Sequence, residues 1–164
     1  MKQIYLITTF IICLLVQCSS PRKFTKMVKP EKTSGLLYLV RPDHPSLSMW
    51  NYECTISKYP SKFSSMVSPK TLFSVNLENA SLGYIRLTEG TYRLDVVGKN
   101  DATKVFTIKN GEDKYFFLRI FSETRLSKSE LTFIETSKED SLSEILSIIG
   151  FTEFDFKLVE VPIE

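Results

Sequence analysis

The chain has 164 residues, 43% of them hydrophobic and 24% charged, with 21 Lys and Arg against 19 Asp and Glu. So even a balance gives no electrostatic support for nucleic-acid binding. Three cysteines and a single histidine fall short of a disulfide framework or a zinc-bound fold, and no metal or cofactor is implied.

Residues 1–3 carry one positive charge, Lys2, and 4–16 is an apolar run broken only by Tyr5, Thr8, Thr9 and Cys13. A short basic region followed by an apolar core reads as a secretory signal. It is too short for a membrane-spanning helix, which needs about 20 residues. The chain then turns polar at Ser19, Ser20, Pro21, Arg22 and Lys23. Leu15-Val16-Gln17-Cys18 resembles the cleavage box of bacterial lipoproteins. The resemblance implies that Cys18 carries a diacylglycerol, that the leader is cut before it, and that its new amino group can be acylated. The chemistry suits a cysteine, because a thiolate is the natural nucleophile for a thioether and several acyl chains anchor stably where one is marginal. The plainer reading is an ordinary signal peptide with an incidental cysteine, or an uncleaved anchor. Ser19, rather than Asp, after the cysteine resembles the sorting pattern for the outer membrane of the bacterial cell envelope.

The organisation expected is a leader over 1–17, a lipidated tether over 18–34 and one domain over 35–164. Without the leader about 147 residues remain, enough for one domain with a proper core. With Cys13 in the leader and Cys18 taken by lipid, Cys54 stands alone. Residues 19–34 hold two prolines, five basic residues and one acid, with no apolar period. That predicts an extended, solvated linker. Its basic residues could lie against anionic head groups at roughly 1 kcal/mol each; the plainer reading is that they keep a linker soluble.

From Gly35 the pattern becomes one of strands. Residues 35–41 form a nearly continuous apolar run ended by Pro42, consistent with a buried strand, and 42–45 read as a turn. Trp50, Tyr52, Cys54 and Ile56 then alternate with polar residues, which predicts a strand with those four facing the core. Residues 58–70 hold Pro60, Pro69 and a run of serines and read as a long loop. Its Phe63, Met66 and Val67 are expected to pin it onto the core, with an exposed contact surface as the alternative. Phe73, Val75 and Leu77 resume the alternation, followed by short strands over 83–87, 92–97, 104–109 and 115–121, with turns at 78–80, 88–90, 98–101 and 110–111. A weaker strand is expected over 131–134. Ser137, with Asp140 three positions on, marks a helix start. Leu142, Ile145, Leu146 and Ile149 fall on one helical face, and Gly150 closes the helix. Phe154, Phe156 and Leu158 alternate as a last strand. Seven or eight short strands with turns at this spacing predict a mainly β chain, an antiparallel β-sandwich with one C-terminal amphipathic helix.

Gly35, Tyr38, Arg41 and Pro42 form an apolar opening strand ending in Tyr-x-x-Arg-Pro. Leu82-Gly83-Tyr84-Ile85 supplies a small hairpin, Glu89-Gly90-Thr91-Tyr92 a turn, and residues 111–116 the start of a strand. Over about 35–121 this resembles an uncharacterised family of small bacterial lipoprotein domains. The resemblance implies a transthyretin-like or carboxypeptidase-regulatory-like sandwich and carries over no catalytic residues.

Chemistry is sparse. His44 stands beside Asp43 and ten residues before Cys54, but it lies in a proline-bounded turn while Cys54 falls on an apolar strand face, where a thiol is inert. Glu53, Asp95, Asp101, Glu112 and Asp113 could include a hydrolytic pair, yet they sit at turns and on solvated faces. No phosphate loop, nucleophile elbow or His-Glu-x-x-His is present. The expectation is therefore a non-enzymatic, lipid-anchored envelope protein, held to the membrane through Cys18 and using its loops and strand edges on a protein partner in the envelope or outside the cell. The second reading is a lipoprotein binding a sugar or small apolar molecule on Trp50, Tyr52 or nearby aromatics, and the third an envelope hydrolase.

Overall fold

The computed structural model describes residues 22–121, 130–147, 150–154 and 156–159; the leader, Cys18 and Ile149 lie outside the described residues. The fold is organised on strand β2, Gly35–Arg41, all seven residues of which are buried. It pairs antiparallel with β5 (Ser81–Leu87) and parallel with β8 (Asp113–Phe121). Both of its faces are covered, which is why its sequence is continuously apolar rather than alternating. Leu37 and Leu39 point into the main core, while Leu36, Tyr38 and Val40 belong to a second core behind the sheet.

The first sheet is completed by β9 (Glu130–Thr136) beside β8, and by the two-residue strands β10 (Thr152–Glu153) and β1 (Arg22–Lys23) beyond β5. The second sheet runs β11 (Lys157–Leu158), β4 (Lys70–Leu77), β3 (Tyr52–Lys58), β6 (Gly90–Val96) and β7 (Lys99–Ile108). The two sheets face each other across the main core, so the chain is a β-sandwich carried by the eight longer strands β2–β9. Pairing is mostly antiparallel; β2–β8 and β10–β5 are the parallel exceptions.

The second core is closed by two pieces. One is helix α1, Lys138–Ser147, which lays Ile145 against the sheet. Its start is legible: Ser137 Oγ accepts the Asp140 N–H at 3.0 Å and donates to the Asp140 carboxylate at 2.8 Å. The buried stripe, however, is Ser141 and Ile145, and Leu146 is 74% exposed. Ser141 tolerates burial because its hydroxyl donates to the Ser137 carbonyl at 2.9 Å. The other piece is the stretch expected to be solvated. Phe24, Met27 and Val28 pack on the second core, and the buried Tyr38 hydroxyl donates to the Val28 carbonyl at 3.0 Å and accepts the Val28 N–H at 2.7 Å. Arg86 pairs with Glu31 at 3.1 Å, and the Ser34 carbonyl accepts the Gly111 N–H. The segment is thus a strap along the outer face of the sheet.

Two further expectations change. The strand predicted through Phe154, Phe156 and Leu158 is not one strand: the chain leaves the first sheet after Glu153 and joins the second at Lys157, with Leu158 opposite Phe73. Phe154 and Phe156, their rings 5.6 Å apart, pack against the main core along that side. Gly83 makes room for Phe154, since a Cβ there would stand 2.0 Å from the ring. Trp50, expected on the core face, precedes β3 instead. Its N–H donates to the Leu47 carbonyl at 3.1 Å after a 3-10 turn over Pro45–Leu47, and its side chain is 64% exposed.

Candidate functional site

The strands run between two ends, each carrying exposed apolar side chains. At one end β2 finishes on Arg41, wholly buried. Its guanidinium donates to the carbonyls of Trp50, Leu77 and Leu47, the last two at 2.7 and 2.9 Å, and its carbon lies 4.8 Å from the centre of the Tyr52 ring. Burial pushes the Arg41 pKa down, a trend partly opposed by Tyr52, Cys54 and Glu78. Three carbonyls and one ring are thereby fixed, and the 42–51 loop is clamped to the end of β4. Asn79 adds to this, accepting the His44 backbone N–H at 2.9 Å and donating to Asp43. The clamp holds Met49 and Trp50 outward, 94% and 64% exposed.

At the opposite end lies the 59–69 loop. Tyr59 is buried at its base, and Phe63 stacks edge-on against it at 5.3 Å while staying 55% exposed. A turn in which Val67 N–H donates to the Ser64 carbonyl, and Met66 N–H to Ser64 Oγ, puts Met66 at the tip, 95% exposed. Val67 is 37% exposed. The expectation that these three residues pin the loop down therefore holds only for the Tyr59–Phe63 contact. Trp50 precedes β3 and Phe63 follows it, so the four residues singled out from sequence fall at opposite ends and form no single site.

Between α1 and the β8–β9 hairpin is a shallow cleft of about 430 Å³. Phe117 and Ile134 supply an apolar floor, and Arg119, Thr136, Ser143 and Glu144 a polar rim. Arg119 lies 5.0 Å over the Phe117 ring and 4.0 Å from the Glu144 carboxylate. None of these residues stood out in the sequence, because α1 and β8 are brought together only by the second core.

The chemistry weighed from sequence does not assemble. Cys54 is fully buried, and burial pushes its thiol up to about 12 despite the opposing influence of Arg41. It is protonated at neutral pH and a poor nucleophile. Asp95 binds Arg93 at 2.7 Å and accepts from Thr103 at 2.8 Å; Glu112 accepts the Lys109 N–H and pairs with Lys114; Asp113 accepts the Tyr115 hydroxyl. These acids are occupied in turns and ladders. Burial opposes the charge on Lys114, but its bonds to Glu135 and Glu112 outweigh that and raise its pKa. Among the described residues no group of three or more His, Cys, Asp or Glu could hold a metal, and no helix is long and apolar enough to cross a membrane. No protein-family model, curated protein or solved structure matches the chain.

Proposed function

We propose that the chain is a lipid-anchored protein of the bacterial cell envelope, sorted to the outer membrane through Cys18, whose β-sandwich is a non-catalytic interaction module. The location rests on the leader and on Leu15-Val16-Gln17-Cys18. The module reading is carried by one observation: Met66 and Phe63 are displayed on a turn-closed loop while Tyr59 beneath them is buried. Large apolar side chains held in water on a structured loop suit capture of a protein partner. The resemblance to small bacterial lipoprotein domains belongs to the same proposal. Gly35, Tyr38 and Arg41, which carry it, serve close packing, the strap and the clamp.

Strand edges play a smaller part in this reading. One side of the sandwich is bordered by two-residue strands and crossed by the C-terminal segment, and on the other β7 and β9 run alongside each other. The alternative, a ligand-binding lipoprotein, is favoured by the cleft at α1, whose apolar floor and hydroxyl-bearing rim suit a small polar molecule with one apolar face.

A photo-crosslinking residue at position 66 in intact cells tests the module, with position 107 on β7 as the exposed control. A discrete adduct from 66 alone, lost on deletion of residues 61–68, is the expected result. Equal labelling from both positions refutes the role of the loop. Mass spectrometry of the mature N-terminus tests the lipid separately.

A further inference from the structure

The direction of β1 fixes the end from which the chain enters. β1 runs antiparallel to β10, β10 parallel to β5, and β5 antiparallel to β2. β1 therefore points the same way as β2, and the chain before Arg22 comes from the end where β2 starts at Gly35. Arg22 is level with Val40, through Glu153 and Leu82, and the stretch of β2 from there back to Gly35 spans about 17 Å. Cys18 precedes Arg22 by four residues, which reach at most about 14 Å. With so short a tether entering from that side, a lipid on Cys18 leaves the Gly35 end within reach of its membrane.

The 59–69 loop stands at the same end and on the same side. Gly35 lies opposite Leu87, and Lys58, where β3 stops, donates to the hydroxyl of Thr88 beside it. The loop feeds β4, which β11 borders; β1 borders β10, and three residues, 154–156, separate β10 from β11. From Cys54 to Leu77 the chain carries Lys58, Lys62 and Lys70 and no acid. Lys62 and Lys70 are exposed and flank Phe63, Met66 and Val67 in the sequence. Glu31 and Glu112 at this end are already paired, with Arg86 and Lys114, and Glu89 sits in the turn before β6. The loop is thus an apolar tip with a basic rim.

The chemistry of the partner follows from both. Large exposed anchors bind in an apolar recess, and a basic rim steers them toward carboxylates. A partner in the same membrane meets the loop at an effective concentration set by the short tether, whereas one free in solution gains nothing from tether length. We infer that the 59–69 loop captures a protein embedded in the membrane that holds Cys18, placing Met66 and Phe63 in an apolar recess rimmed with carboxylates. This names the partner class of the module proposed above, and rests on that reading and on its lipid.

A photo-crosslinking residue at position 66 of the full acylated chain, in intact cells, reads the partner. Three chains are compared at equal abundance: the wild type, one with a long Gly-Ser insert after Ser20, and a Lys62→Glu, Lys70→Glu variant. The expected result is a protein adduct whose yield falls severalfold with the longer tether and severalfold with the reversed charges, the fold being unchanged by circular dichroism. An equal yield with the longer tether, or with the reversed charges, overturns the inference and leaves the module standing. An adduct of phospholipid mass overturns it too, since the loop then meets the bilayer itself. Labelling from position 66 no stronger than from position 107 overturns the module, and a wild-type chain with no acyl mass on Cys18 overturns the anchor; the inference falls with either.

Discussion

Arg41 offers the sharpest test of how the exposed end is built. Its charge is met by three carbonyl dipoles and the face of Tyr52, with no carboxylate in ion-pair contact among the described residues. Charge-assisted bonds contribute about 1.5–3 kcal/mol each, and desolvating a guanidinium costs several kcal/mol in return. Arg41→Met removes both and keeps most of the volume. The Leu77 carbonyl then loses a charged donor in a buried place, at about 1–3 kcal/mol, while the Leu47 and Trp50 carbonyls regain water only if the 42–51 loop lifts. A net loss of about 3–5 kcal/mol follows, the usual cost of breaking a buried charged network. In a domain of this size that lowers the melting temperature by about 10–15 °C.

The assay is thermal unfolding followed twice, by far-ultraviolet circular dichroism for the sheets and by Trp50 emission for the loop. The Trp50 signal should change before the sheets melt, because the loop is what the clamp releases. Arg41→Lys should recover little of the loss, since its donors all sit on one nitrogen and cannot span the carbonyls that the two guanidinium nitrogens reach. A Met variant that melts with the wild type, with Trp50 emission and quenching unaltered, would refute the clamp.

Three further outcomes follow from the cores and the edge. Tyr38→Phe removes both bonds to Val28 at about 1–2 kcal/mol; trypsin should then cut after Lys26 or Lys32 severalfold faster than in the wild type, and equal resistance would mean the strap is held by packing alone. Lys104 shares the inward parity of Ala102, Phe106 and Ile108 on the edge strand β7, with its ammonium 6.0 Å from the centre of the Phe116 ring. A charge pointing inward on an edge strand blocks pairing with another chain. Lys104→Val should therefore raise stability by about 1 kcal/mol and produce self-association in sedimentation, and a variant that stays monomeric would show the edge is guarded by other means. Burial raises Cys54 from 9.0 and Tyr38 from 10.0 to about 12 each, and pushes Tyr115 upward too. The folded state keeps these protons while the unfolded chain releases them, so stability is level below about pH 9 and falls as pH rises toward 12, by about 1.4 kcal/mol per unit for each group that titrates only when unfolded. Urea midpoints across that range measure the slope; a level profile would mean these groups ionise alike in both states.

Much of the fold was legible because its determinants are local. A nearly apolar seven-residue run names β2, alternation names β3, β4 and β6, and the turns at Glu78-Asn79-Ala80 and Asn110-Gly111 mark the ends of β4 and β7, with Ala80 at φ 50° and Gly111 at φ 77°. Ser137 and Asp140 capped α1 as read. What escaped depends on surfaces that exist only after folding. Phe24, Met27 and Val28 have no period, and the face they cover is assembled from β2, β5 and β8. Phe154, Phe156 and Leu158 do alternate, but alternation cannot say that a chain changes sheets between them. The clamp escaped for another reason: the partners of Arg41 are carbonyls, which every residue has, so no sequence feature marks them. Phe63, Met66 and Val67 were visible as apolar residues in a polar loop, but whether they docked or protruded depends on the folded surface, where Tyr59 is buried and Phe63 meets it edge-on.

The distance between the two displayed ends constrains any function the domain has. β3 joins them with seven residues, about 23 Å of strand, which exceeds the depth of a lipid headgroup layer. A single flat surface cannot hold Met49–Trp50 and Met66 at once. The two ends thus differ in how they are held: one is clamped by a buried guanidinium, the other by the edge-on contact of Tyr59 with Phe63 and the turn at Ser64.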